Sequence, residues 1–198
     1  MLSKTQQVWR HLVVSASEDR RRWPTLRALA AELDMGISTV HAALAGPAEM
    51  GTVIIRPAGG VSADDPGRLL LCWAARRNLA KDIVRRFQVA PSAYETEAAL
   101  GDDPRPLILG GFGAVLAAVG ANTIADYSTV LVYGEPSVLS PDPHGGTEVI
   151  ILEPDPLLAR YGRTTPLCQA WADLFCLPGW QAARFTDCLL DKVVRDIA

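Results

Sequence analysis

Residues 25–61, TLRALAAELDMGISTVHAALAGPAEMGTVIIRPAGGV, set two short helical periods around a sharp turn and follow them at once with a hairpin pattern, an order that few folds accept. Leu26, Leu29, Ala30 and Leu33 recur at helical spacing and predict a first helix with one apolar face. Pro24 and Thr25 open it, with Thr25 as its cap. Met35-Gly36-Ile37 predicts a tight turn in which Gly36 is free to take positive φ. Ser38 is the expected N-cap of a second helix whose Val40 and Leu44 point inward. Ser38, Thr39, His41 and Ala42 then fall on its outer face. Thr52-Val53-Ile54-Ile55 reads as a strand, Pro57-Ala58-Gly59-Gly60 as a hairpin tip and Val61 as the start of the return strand. A helical hairpin accounts for the two helices but not for a Gly-Ile-Ser turn followed by a β-hairpin. The order is that of a winged helix-turn-helix, whose second helix enters a DNA major groove.

At 198 residues the chain suffices for one large domain or two small ones, and its 49% apolar content supports a true core. No apolar run approaches the ~20 residues that cross a bilayer. The start, MLSKTQQVWRHLVV, lacks the apolar segment and cleavage site of a signal peptide. The expectation is a cytoplasmic protein with no membrane partner. Cys72, Cys168, Cys176 and Cys188 form no C-x-x-C pair, and they are expected as buried, reduced thiols in helices. Net charge is −3, which suits a DNA binder only once the chain is divided. Residues 1–88 hold 13 Lys/Arg and 8 Asp/Glu, net +5, whereas residues 89–198 hold 6 and 14, net −8. The basic part contains the helix-turn-helix, as phosphate binding requires, and the acidic part is suited to a protein or small molecule.

Three domains follow. Residues 1–66 form the winged helix-turn-helix, with a first helix over 4–17 and Arg20-Arg21-Arg22 before Trp23-Pro24. Residues 67–92 read as a bridging helix, RLLLCWAARRNLAKDIVRRF, opened by Asp64 or Asp65 as cap and closed near Pro91-Ser92-Ala93. Residues 93–198 form a C-terminal α/β domain, so the fold class is α+β or α/β. In that domain residues 107–119 run from a buried strand or turn into an apolar helix, and STVLVY (128–133) and TEVIIL (147–152) are strands. Residues 166–177 form a helix begun at Thr165-Pro166 and halted by Pro178-Gly179. A last helix over 181–197 repeats Phe185, Leu189, Leu190, Val193, Val194 and Ile197 near 3.6, with Arg184, Asp187, Asp191 and Arg195 outward.

The DNA reading names its contacts. Thr39 and His41 are the first candidates for base edges, with Ser38 near phosphate. Arg56 stands at the base of the wing, and Arg20, Arg21, Arg22 and Arg27 add salt-dependent affinity. Against each stands a plainer role: an exposed histidine for His41, a solvated basic loop for the arginine triplet. Catalysis finds little support. A nucleotidyltransferase needs two carboxylates on one face of the strand after Gly110-Gly111 to hold Mg²⁺. That strand carries no acid, Asp126 and Glu135 only flank it, and Glu148 and Glu153 have odd spacing. Phe112 between the glycines offers no phosphate donor, so Gly110, Gly111 and Gly113 are expected to serve close packing or a turn. His11, His41 and His144 sit in no nucleophile motif, and Asp64-Asp65 and Asp102-Asp103 read as solvated turn residues. Trp171 and Trp180 are expected in or at the edge of the core, with a pocket or interface as the other possibility. No cofactor and no metal is expected.

Three places resemble the AbiEi family, antitoxins of type IV toxin–antitoxin and abortive-infection systems. Asp65-Pro66 with Leu70-Leu71-Cys72-Trp73-Ala74, after the wing, is similar to the family's D-P-x-x-L-L-x-x-W-A step. Leu109-Gly110-Gly111-Phe112-Gly113-Ala114 is similar to its L-T-G-x-x-A-A turn into a helix. Thr165-Pro166-Leu167-Cys168-Gln169-Ala170-Trp171-Ala172-Asp173-Leu174 with Leu177-Pro178-Gly179 is similar to P-x-Q-x-Y-x-D-L…x-P-G-R. Trp171 stands where the family has Tyr, Trp180 where it has Arg, and Gly46-Pro47 interrupts the expected end of the recognition helix. The resemblance implies a DNA-binding autorepressor acting on double-stranded DNA of its own promoter. It also implies a C-terminal domain that counters a nucleotidyltransferase-like toxin without a stable complex. The alternatives are a ligand-responsive one-component regulator, for which an apolar pocket with a few polar groups would speak, a degenerate nucleotidyltransferase-like domain, and an interaction module that never touches DNA. The oligomeric state stays open.

Overall fold

Ser3 accepts the N–H of Gln6 while Gln6 reaches back to the Ser3 N–H, and this reciprocal cap starts helix α1 (Lys4–Ser17). α1 buries Val8, Trp9, Leu12 and Val13, a stripe at helical spacing. The computed structural model describes residues 1–57 and 60–195, and among these it holds eight α-helices and two sheets, a mixed α and β structure. No described helix is long and apolar enough to cross a membrane. The chain divides into two units, Leu2–Arg77 with Leu190 onward, and Asn78–Leu189 with Met1.

In the first unit α1 is followed by β1 (Arg22–Trp23), α2 (Leu26–Glu32), α3 (Ile37–Glu49), β2 (Val53–Ile55), β3 (Val61–Ala63) and α4 (Pro66–Arg76). The three strands form an antiparallel sheet in the order β1-β3-β2. Thr25 caps α2 and Asp65 caps α4 through the N–H groups of Ala28 and Arg68, with Pro66 in the first turn of α4. The α2–α3 turn is tight, but its left-handed residue is Asp34 (φ 51°), not Gly36. The Met35 N–H closes onto the Ala30 carbonyl at 3.0 Å, an ending that needs one left-handed residue just past the helix. Gly36 is extended and is the N-cap of α3 (φ −63°, ψ 142°), so Ser38 lies inside the helix and is not its cap. Of the expected tip, Ala58 and Gly59 lie outside the described residues.

Pro47 does not end α3. A proline at this position has no N–H to offer the carbonyl of Ala43, four residues earlier, and a buried orphan carbonyl is costly. The Trp9 indole N–H fills that vacancy, donating to the Ala43 oxygen at 2.8 Å in a buried site. The helix continues to Glu49 with Pro47 itself buried. The same bond ties α1 to α3 and fixes which face of α3 is inward: Val40, Ala43, Leu44 and Pro47.

The second unit corrects the expected bridging helix over 67–92. After α4 the chain makes a 3₁₀ turn (Leu79–Asp82) and enters strand β4 (Ile83–Val89). β4 is an edge strand paired to one neighbour, and its register shifts between Ile83 and Arg85. That irregularity breaks the period-two pattern, so Ile83 and Phe87 mimic helical spacing. α5 (Ala93–Gly101), β5 (Ile108–Gly110), α6 (Gly111–Val119), β6 (Thr129–Tyr133), β7 (Thr147–Leu152), α7 (Leu167–Phe175) and α8 (Trp180–Leu190) follow. The sheet order is β4-β7-β6-β5, with β6 and β7 parallel and both edge pairs antiparallel. Val130, Val132, Val149 and Ile151 serve one core, and Leu131, Tyr133, Ile150 and Leu152 another, so both faces are covered and the central strands read as unbroken apolar runs.

Other expectations shift at the ends of elements. The break after α7 comes at Cys176, and the last helix gives way to a π-helical turn at Asp191–Arg195, with Ile197 outside the described residues. Of the cysteines only Cys168 is buried; Cys72 and Cys176 are half-buried and Cys188 is exposed, all as free thiols. Trp171 is in the core, donating to the Thr186 carbonyl at 2.9 Å, whereas Trp180 is 66% exposed. Asp103 is a buried structural group and not a solvated turn acid: it accepts from the backbone N–H groups of Arg105, Ser137 and Val138 and from the Ser137 hydroxyl. Burial pushes its carboxyl up, but these donors win and hold it at about 2. Gly111 (φ 50°) starts α6 where a Cβ would stand 2.4 Å from the Leu131 side chain, so its role is close packing.

Trp9→Phe leaves the Ala43 carbonyl without a donor and should cost about 1–3 kcal/mol in urea unfolding. Pro47→Ala restores an N–H to that carbonyl, so it should recover stability in the Trp9→Phe background that it does not give in the parent. The double-mutant cycle should show coupling above about 0.5 kcal/mol. Additive values would mean the two residues do not share this acceptor.

Candidate nucleic-acid interface

With Val40, Ala43, Leu44 and Pro47 inward, the opposite face of α3 is set by geometry. Ile37, Ser38, His41, Ala42 and Ala45 are exposed, and Thr39 is half-buried at the boundary. Over residues 37–45 the exposed side chains carry no acid, and the one acid of α3, exposed Glu49, continues the same row at the helix's C-terminal end. Hydroxyls and imidazoles bond to base edges and phosphates, and small apolar groups meet the thymine methyl. Ile37 and Ala45 belong to this face although they were not among the sequence candidates. Their signal was present: 37, 41 and 45 are spaced by four, off the buried 40-43-44-47 stripe.

The hairpin brings two candidates together. In the sheet register Arg22 and Ile54 both lie opposite Ser62. The Arg56 guanidinium donates to the Ser62 hydroxyl at 3.3 Å. Exposed Arg22 and Arg56 therefore flank one buried serine on one side of the sheet. Arg27 is exposed on α2, and Arg21 is half-buried.

Arg20 is placed differently from the expectation of a phosphate contact. Its guanidinium is paired with Glu32 and lies over the Trp23 ring at 5.3 Å. Glu32 also accepts from the Trp23 indole N–H at 3.0 Å and lies 3.1 Å from His11 Nε2. Burial pushes the Glu32 carboxyl up, but Trp23, Arg20 and His11 outweigh it and hold its pKa below the ordinary value. Burial lowers the pKa of His11 in spite of Glu32. A neutral imidazole facing a carboxylate must donate, so Nε2–H points at Glu32. This cluster fastens α1, β1 and α2 to one another, and no sequence motif marks Glu32 as its centre.

The charge division also narrows. Counted by the observed units, Leu2–Arg77 with Leu190 onward carries 12 Lys/Arg and 9 Asp/Glu, net +3, and Asn78–Leu189 carries 7 and 13, net −6. Lys81, Arg85 and Arg86 fall in the acidic unit, where Arg85 pairs with Glu135 and Arg86 with Glu148. Arg10 and Arg77 are buried.

The residues that carry the AbiEi resemblance are structural here. Asp65 is a cap, and Leu70 and Trp73 are fully buried. Buried Gln169 and Asp173 meet the Tyr133 hydroxyl at 3.0 and 2.5 Å. Among the described residues no three His, Cys, Asp or Glu side chains converge to hold a metal ion. Comparison of the chain with known protein families, with curated proteins and with solved structures finds no match.

Glu32→Ala should lower the unfolding free energy by about 1–2 kcal/mol, because it orphans the Trp23 donor. Ser38→Ala, His41→Ala and Arg56→Ala should stay within about 0.5 kcal/mol of the parent, as exposed groups do. Thermal and urea unfolding measure both. A large loss at His41 or Arg56 would make those residues parts of the fold and not of a surface.

Proposed function

We propose that Leu2–Arg77 is a winged helix-turn-helix that binds double-stranded DNA, and that the protein is an autorepressor and antitoxin of the AbiEi type. The observation that carries the DNA half is the exposed face of α3 over residues 37–45, which holds no acid and is held outward by its buried opposite stripe. A helix of this size fits the major groove, and its first turns meet base edges. The hairpin with Arg22 and Arg56 is the wing and meets phosphate or the adjacent minor groove. Arg27 adds a phosphate contact. Arg20, engaged by Glu32, positions Trp23 and α2 and contributes less.

The antitoxin half rests on the resemblance alone. A neighbouring gene for a nucleotidyltransferase-like enzyme, whose toxicity is relieved by coexpression of this chain, supports it. Unrelieved toxicity contradicts it.

Fluorescence anisotropy with a duplex from the chain's own upstream region tests the DNA half. Affinity should fall with salt, and removal of Arg22, Arg27 or Arg56 should each flatten the log–log slope by about 0.9 on any sequence. Thr39→Ala and His41→Ala should cost about 1–3 kcal/mol at particular base pairs. Glu32→Gln frees Arg20 and removes a negative charge, so it should raise affinity with a steeper salt slope. Binding unchanged by the combined Arg22/Arg27/Arg56 replacement would overturn the assignment.

A further inference from the structure

Helices α5 and α6 and the loop after α6 enclose a cleft of about 590 Å³ in the Asn78–Leu189 unit. That volume lies within the ~300–1,000 Å³ of small-molecule sites. Its walls are apolar at Ala93, Leu116 and Ala117, and Tyr94, 76% exposed, lines it as well. The carboxylic acids lining it are Glu97 and Asp126, and no Lys, Arg or His side chain lines it.

Glu97 is 9% exposed. Its Oε2 accepts from the Tyr127 hydroxyl at 2.8 Å, while its Oε1 is buried with no hydrogen-bond partner. Tyr127 is fixed by stacking on Phe112 at 4.6 Å and by the Phe185 edge at 6.0 Å. Gly113, also on the cleft wall, permits this placement: a Cβ there would stand 2.7 Å from Oε1. A buried carboxylate oxygen without a donor is costly, and either a proton or a cation relieves it. With the cleft free of ligand the proton does so: burial, against the Tyr127 hydrogen bond, pushes the Glu97 carboxyl up to about 7. Burial and the neighbouring Glu97 raise Tyr127, which stays a donor.

We propose that this cleft binds a small organic cation, an amine, amidine or guanidine on an apolar or aromatic body, with Glu97 as its counter-ion. Asp126 adds a second negative charge at the site, and the Tyr94 ring offers a cation–π face. Anions meet two acids and no base. A neutral ligand can donate a hydrogen bond but brings no charge to balance an ionised Glu97. Every residue lining the cleft belongs to the Asn78–Leu189 unit, so this proposal does not rest on the DNA reading of the other unit.

Benzamidine, benzamide and benzoate share one planar shape and differ in charge, and titrating each into the full chain by calorimetry and NMR tests the assignment. Benzamidine should bind at least tenfold more tightly than benzamide, and benzoate should not bind. At pH 6 Glu97 is protonated and must ionise to pair, so benzamidine binding should release close to one proton, read from buffers of different ionisation heat. Above pH 8 the carboxyl is already ionised and the release should vanish. Glu97→Gln should abolish the preference for benzamidine over benzamide. Ala117→Phe, at an exposed position on the wall, should block binding while the fold persists. Equal binding of benzamidine and benzamide, a preference that survives Glu97→Gln, or binding without proton release at pH 6 would overturn the proposal.

Discussion

One hydrogen bond, from the Trp9 indole to the Ala43 carbonyl, decides what α3 can present. Pro47 removes the helix's own donor to that carbonyl, and without a substitute the helix would kink or end one turn earlier. The indole supplies the donor, the helix runs on to Glu49, and the direction of the bond locks one face of α3 against α1. The exposed face is then a consequence of the buried one. Glu32 does comparable work at the other end of the unit, gathering Trp23, His11 and Arg20 so that β1 and α2 hold their places.

The two units treat charge in opposite ways. In the first, the exposed arginines of β1, α2 and the hairpin keep positive charge at the surface beside the first turns of α3, where residues 37–45 hold no acid, while Arg20 is engaged by Glu32. In the second, acids outnumber bases, and Asp103 and Glu97 are buried with contrasting fates. Asp103 is surrounded by N–H and O–H donors and stays ionised. Glu97 has one donor for two oxygens and holds its proton to near neutrality. A carboxyl's neighbours, and not its burial alone, set which of these it becomes.

Much of this was legible in the chain. Helical periods at 4–17 and 26–33 and the apolar runs at 129–133 and 147–152 became the elements they predicted, since each pattern is local and uninterrupted. β4 was illegible because its register shift destroys the alternation and leaves Ile83 and Phe87 at helical spacing. α5 carried a readable sign, the Ser92-x-x-Glu95 capping box, hidden beside Pro91 in what looked like a boundary. Ser38, His41 and Ala42 on the outer face of α3 followed from periodicity, whereas Thr39 is half-buried and Ile37 and Ala45 share that face without having been named. The partners of Arg20 and Glu97 did not, because Glu32, Tyr127 and Gly113 reach them through the fold and not through any fixed spacing. The resemblance to AbiEi antitoxins rests on residues that the structure uses as caps and core, so those motifs speak to architecture and leave the chemistry to the surface.

The central claim is that the exposed face of α3 meets DNA. Amide NMR of the full chain titrated with a duplex from its own promoter at low salt is its most direct test. Shift changes should gather at residues 37–45 and at Arg22 and Arg56, leaving residues 78–189 almost unmoved. Changes confined to residues 78–189, or a spectrum indifferent to DNA, would contradict the account.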